Sequence, residues 1–141
     1  MRFVATFMLS AVLTIASVAC TSTMPAAART TSIEDRWGVE LNGIRRSAAG
    51  YMLDFRFTVH DLEKAAPLFD RATKPYLIDQ ASGAKFLVPN PPKTGPLRTS
   101  DPPHLGRRYF IFFANPGKYV QAGQKVTVVI GDFRAENLVV Q

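Results

Sequence analysis

Cysteine is almost absent from this chain of 141 residues: Cys20 stands alone, so no internal disulfide can form and a folded domain must be held by its buried side chains. Acidic residues are also few. Eleven Asp and Glu against 17 Lys and Arg leave a net charge of +6, which draws the molecule toward anionic partners. Long helix-forming runs are missing, whereas ten prolines, nine glycines and 11% aromatics favour short strands joined by punctuated turns. The motifs of catalysis are missing as well: no G-x-S-x-G elbow, H-E-x-x-H pair, P-loop or G-x-G-x-x-G turn occurs. The chain is therefore read as a non-enzyme, with no cofactor expected. There is no repeat of fixed period. With 47% hydrophobic and 20% charged residues, the chain is too apolar for disorder and too mixed for a polytopic membrane protein. At the usual ~100 to 150 residues per domain, it has room for one compact domain and a short appendage.

What is present begins with Phe3 to Ala19, FVATFMLSAVLTIASVA, an uncharged run preceded by Arg2 that has the basic start and apolar middle of an export signal. It falls slightly short of the ~20 apolar residues of a spanning helix, and no basic cluster follows it, so removal after export is expected. Ser17-Val18-Ala19-Cys20 resembles the lipobox of bacterial lipoproteins, in which the cysteine is lipid-modified and becomes the new amino terminus. Ser17 also suits ordinary signal peptidase, as does Ala26-Ala27-Ala28 further on, so lipidation, soluble secretion and an uncleaved anchor are three possible outcomes. Lipid attachment accounts for both the uniqueness and the place of Cys20. The expected organisation is a signal peptide over 1–19, a flexible tether over 20–35 rich in small polar residues, and a domain over 36–141. By the same resemblance, Thr21 stands where an aspartate would retain an enterobacterial lipoprotein at the inner membrane. It implies sorting to the outer membrane; the expected location is the periplasm or outer membrane, with a lipid on Cys20 as the membrane contact. Loss of the leader removes only Arg2 among the charged residues, so +6 falls to +5. Outside the cytosol that charge meets anionic lipid, lipopolysaccharide, cell-wall polymers or acidic proteins, and nucleic acid is not expected as a partner.

The body reads as strands. In Tyr51–His60 every odd position is apolar, up to Val59, and the even ones are mostly polar, which is the period of a half-buried strand. Trp37–Arg45 alternates before it, and Ser47–Gly50 supplies the turn of a hairpin. Asp61–Phe69 contains Pro67, which limits any helix there to about one turn. Lys74–Asp79 and Lys85–Val88 flank a glycine-containing loop and form a second hairpin. Arg108–Ala114 is apolar on both faces and predicts a central strand covered on both sides. Lys125–Phe133 and Asn137–Val140 close the chain as a strand pair. About seven short strands without a cysteine pair predict an all-β, immunoglobulin-like antiparallel sandwich, with a small open barrel as the rival. Trp37, Tyr51, Phe55, Phe57, Phe110, Phe112 and Phe113 are expected in its core.

Two features remain as candidate contacts. Residues 89–107 hold six of the ten prolines in a loop too long for a hairpin turn. Its basic residues Lys93, Arg98 and Arg107, with adjacent Arg108, mark it either as a contact for an acidic or anionic partner or as a plain excursion. Arg45, Arg46 and Arg56 extend a basic face if strand order brings them near. Metal binding by Met52, Asp54 and His60 fails on geometry, since at ~3.3 Å per residue His60 lies roughly 26 Å from Met52 and about 20 Å from Asp54. A site around His60 would need a distant partner such as His104. The leader, Cys20, the tether and the run WGVELNGIRRSAAGYMLDFRFTV together resemble small Gram-negative lipoproteins with an immunoglobulin-like domain. The expected function is that of a non-catalytic envelope lipoprotein whose sandwich contacts an envelope protein or anionic polymer. The alternative is a periplasmic carrier of a small ligand or a metal such as copper.

Overall fold

A computed structural model describes residues 33–141, so the leader, Cys20 and most of the expected tether lie outside the described residues. Seven strands form two antiparallel sheets. One sheet contains β1 (Val39–Ser47), β2 (Met52–Val59) and β5 (Arg108–Ala114), in the order β1-β2-β5. The other contains β3 (Tyr76–Asp79), β4 (Lys85–Leu87), β6 (Lys125–Ile130) and β7 (Phe133–Val139), in the order β4-β3-β6-β7. In the immunoglobulin scheme β1, β2 and β5 take the places of strands A, B and E, and β3, β6 and β7 those of C, F and G. The proline-rich segment fills the place of D. Thr99 N donates to Phe110 O at 3.1 Å and Phe112 N to Leu97 O at 2.9 Å, so residues 97–99 run beside β5 as a further edge. What reads as an excursion is thus partly sheet.

The alternation of β2 sets the core, because Leu53, Phe55, Phe57 and Val59 are all buried. Each such side chain contributes roughly 1.5–3 kcal/mol when fully removed from water. Phe57 lies 5.9 Å from Tyr109 and 6.0 Å from Phe69, and Phe69 meets Tyr109 edge-on at 4.7 Å, centroid to centroid. Asp61 caps the short helix Leu62–Ala65 by accepting from Glu63 N and Lys64 N, and Pro67 then turns the chain through the 3₁₀ segment Ala66–Phe69. On β1 the register shifts between Leu41 and Gly43. Gly43 has φ +101°, and the bulge moves the buried side from Val39 to Ile44, one step out of strict alternation. At the edge, Gln141 N donates to Ile44 O at 3.0 Å and Arg46 N to Gln141 O at 2.9 Å, so the end of β7 continues onto β1 and links the sheets.

The structure corrects four local expectations. Residues 33–35, placed in the tether, are helical: Ile33 packs on the core, Glu34 accepts from Leu41 N, and Trp37 meets Phe133 edge-on at 5.7 Å. Tyr51 precedes β2 and is 55% exposed rather than core. β5 is buried on one face only, at Tyr109, Ile111 and Phe113, while Phe110 is 38% exposed and Phe112 partly so. The physical reason is that residues 97–99 pair with β5 edge to edge and do not cross its outer face. Finally, β7 begins at Phe133, opposite Ile130, with Gly131–Asp132 as the turn. Asn137 sits at φ +59° beside the register shift opposite β6, a bulge within a strand rather than its start.

Asn115 locks the far end of the sandwich. It is fully buried; its side-chain nitrogen donates to Gly50 O and Val120 O, and its oxygen accepts from Val120 N, each at 2.9 Å. These bonds join the β1–β2 turn to the β5–β6 connection. Asn115→Ala leaves three buried backbone groups unpaired at about 1–3 kcal/mol each, so a loss of at least ~3 kcal/mol is expected. Thermal unfolding followed by circular dichroism should show a Tm lower by about 10 °C or more; a fall under a few degrees would mean the corner is held otherwise.

Candidate functional site: a cationic and aromatic sheet face

The even residues of β2 point away from the core, onto the outer face of the three-stranded sheet. Pairing places Asp54 between Arg45 of β1 and Phe112 of β5, and Arg56 between Gly43 and Phe110. Thr58 lies opposite Arg108 in the next row. The result is two guanidinium groups, on β1 and β2, beside two phenylalanine rings 5.1 Å apart on β5, with Arg108 at the start of the ring strand.

Asp54 is only 2% exposed although it faces outward, because two arginines lie over it. Its Oδ2 accepts from Arg56 Nε at 2.8 Å and from Arg45 Nε at 3.3 Å, and its Oδ1 from Arg56 Nε at 3.1 Å. Both arginines engage side-on through Nε. Among the described residues their terminal nitrogens have no hydrogen-bond partner, nor has the guanidinium of Arg108. An open cleft of about 340 Å³ is lined by Glu40, Gly43, Arg45, Asp54, Arg56 and Arg108, among others. A second, of about 420 Å³, is lined by Met52, Pro96, Leu97, Phe110 and Phe112. Both volumes lie at the lower end of the roughly 300–1,000 Å³ of small-ligand sites. Gly43 contributes by what it lacks: no side chain stands on β1 opposite Arg56.

The candidate residues of the proline-rich loop separate. Arg108 joins Arg45 and Arg56 at the first cleft. Lys93 lies in the turn after Pro91, exposed, and Arg107 is exposed with its guanidinium 5.6 Å from the Tyr109 ring centre; neither lines either cleft. Arg98 lines the second cleft but is largely buried. It pairs with Ile111 and is 8% exposed, with Nη1 donating to Thr73 O at 3.1 Å and Nη2 to Asp70 O at 2.7 Å. Burial lowers its pKa from the ordinary arginine value, and nearby Asp70 opposes the shift. Arg98 therefore ties the loop to the β2–β3 connection. The feature that escaped sequence reading is Asp54 as a buried anchor. Its signal is an acid at the centre of an alternating strand, two residues from Arg56 and across the hairpin from Arg45.

His60 Nε2 lies 3.0 Å from Glu40 Oε2 at the surface, and the main chain of His104 donates to Tyr109 Oη at 2.7 Å. Among the described residues no group of three His, Cys, Asp or Glu side chains is placed to hold a metal ion, and no helix is long and apolar enough to cross a membrane. Comparison of the chain with protein-family models, curated proteins and solved structures finds no match in any of the three.

Removal of each partner should separate anchor from periphery. Asp54→Ala is expected to cost about 1–2 kcal/mol in urea unfolding, and Arg45→Ala, at the longer and more exposed contact, below about 0.5 kcal/mol. Arg98→Met strips two carbonyls of their donor and should cost about 2–3 kcal/mol. Equal costs for Arg45 and Arg98 would contradict their assigned places.

Proposed function

We propose that this chain is an exported, non-catalytic binding protein of the bacterial cell envelope, tethered through a lipid on Cys20, whose outer β1-β2-β5 face takes an anionic component of the envelope. The observation that carries the binding half is the meeting of Arg45, Arg56 and Arg108 at one cleft beside the exposed ring of Phe110. Arginine forks match carboxylate and phosphate oxygens in pairs, and a ring beside them adds apolar contact. The net positive charge of the exported form strengthens approach from a distance. The envelope half rests on the uncharged run Phe3–Ala19 and the lipobox-like residues ending at Cys20.

Two measurements test the halves separately. Intact mass of the protein recovered from bacterial membranes should show a diacylated amino-terminal cysteine, absent in Cys20→Ala; full-length chain with its leader intact would refute export. A photoreactive residue at position 110 should give adducts with envelope components, reduced about tenfold by Arg56→Glu. The same group at position 136, on the opposite sheet, should give none. Equal adducts at both positions would remove the binding role from this face.

A further inference from the structure

The cationic cleft and the aromatic cleft lie side by side on one sheet, and together they describe a ligand more narrowly than charge does. Arg56 is directly across from Phe110 and Asp54 directly across from Phe112, so the guanidinium row adjoins the ring row at one interstrand spacing of about 4.8 Å. Beyond the rings lie Leu97 and Pro96, which line the same apolar cleft. The side chains at the cationic cleft carry three positive charges, on Arg45, Arg56 and Arg108, against two negative ones, on Asp54 and Glu40, and Gln141 with its main-chain carboxylate lines the same cleft, so little net charge is left for a multiply charged ligand. Asp54 holds both nearer guanidinium groups by Nε, and their Nη atoms, without a hydrogen-bond partner among the described residues, remain for an incoming oxyanion.

Resting on the reading of this face as a binding surface, we infer that its ligand is an amphipathic monoanion: a single carboxylate or phosphodiester group set between Arg45 and Arg56, carrying an apolar body that lies over Phe110 and Phe112. A bare anion gains only the charge contacts, screened in an open cleft. A neutral amphiphile gains only the apolar area, at about 25 cal/mol per Å². The two contributions meet in one molecule only when head and tail are joined. A free amphiphile and a lipid headgroup in a bilayer share this chemistry.

The test is a titration of the isotope-labelled full chain, followed by amide chemical shifts, with octanoate, 1-octanol and acetate, all below aggregation. Octanoate is expected to bind at least about tenfold tighter than octanol or acetate, with the shifts centred on Arg45, Arg56, Phe110 and Phe112. Arg56→Gln should reduce octanoate to the level of octanol, and Phe110→Ser should reduce it to the level of acetate. Spectra of both variants outside the face must superpose on the parent; Arg45→Gln, at a more exposed residue, repeats the head test if Arg56→Gln perturbs the fold. Sedimentation with phosphatidylglycerol but not phosphatidylcholine vesicles, abolished by Arg56→Gln and without octanoate uptake, assigns the headgroup source. Uptake of octanoate assigns the free amphiphile. Octanoate no tighter than octanol together with no vesicle binding overturns the proposal, as does binding that Arg56→Gln and Arg45→Gln leave unchanged. If adducts at position 110 persist while octanoate and vesicles fail, the ligand class is wrong and the binding face stands; if the adducts fail too, the face itself is wrong.

Discussion

Everything in this molecule depends on β2 keeping its register. One side of the strand supplies Leu53, Phe55, Phe57 and Val59 to the core, and the other supplies Asp54 and Arg56 to the outer face. A slip of one residue exchanges the two sides. Four buried apolar side chains would then meet water, and the charged side chains of Asp54 and Arg56 would enter the core in their place. With no disulfide to hold the sheets, this penalty is what specifies how β1 and β5 align on either side. The outward burial of Asp54 belongs to the same constraint, since its two arginines come from β2 and from the neighbouring β1, and reach it only in one alignment.

The remaining order comes from polar ties at corners. Ala48 and Ala49 adopt φ +48° and +54°, a left-handed region that costs a residue with a Cβ on the order of 1–2 kcal/mol. Gly50 follows at φ +91°, and its carbonyl is the one that Asn115 holds. Across the same corner Gly117 and Lys118 are also left-handed, with Lys118 Nζ 4.8 Å from the Tyr51 ring centre. Strain in two turns is thus offset by one buried amide that satisfies both. Arg98 plays the corresponding part where residues 97–99 meet the β2–β3 connection, and in each case a side chain takes the place of a covalent link.

Strand number, class and hairpin partners were legible in the sequence because they follow from period-two alternation bounded by turn residues, as in Tyr51–His60. What failed to show depends on neighbours far along the chain. Arg98 reads as a loop cation, yet burial spends it on the carbonyls of Asp70 and Thr73, which the sequence separates from it by 28 and 25 residues. Phe110 and Phe112 read as core because six apolar residues in succession, Tyr109–Ala114, suggest two covered faces; whether a segment crosses β5 or pairs with its edge is a matter of topology. The bulges at Asn42–Gly43 and at Asn137 shift the alternation by one residue, and at Asn137 local pattern reads the shift as the start of a strand. For the site, the basic residues were visible individually. Their separation into Arg45, Arg56 and Arg108 on one face and Arg98 in the interior required strand order.

Asp54 illustrates why burial of a charge need not serve stability. Its carboxylate loses water and regains two guanidinium contacts, an exchange that often comes out near zero when the whole ionic group, rather than one partner, is replaced by apolar side chains. What the arrangement does change is the freedom of the arginines. A long cationic side chain on an open sheet face samples many rotamers, and ordering it during binding costs about 0.5–1.5 kcal/mol. Held by Nε, Arg45 and Arg56 have already lost much of that freedom, while the nitrogens that pair best with an oxyanion are the ones left exposed. Lysine would not substitute, since its ammonium is a point charge that lacks the planar fork by which a guanidinium holds Asp54 on one edge and a second oxyanion on another. The same carboxylate also reduces the local positive charge, so an unattached phosphate or acetate gains little there. Discrimination then passes to the apolar side, where Phe110 and Phe112 contribute only to a ligand that carries a body as well as a head.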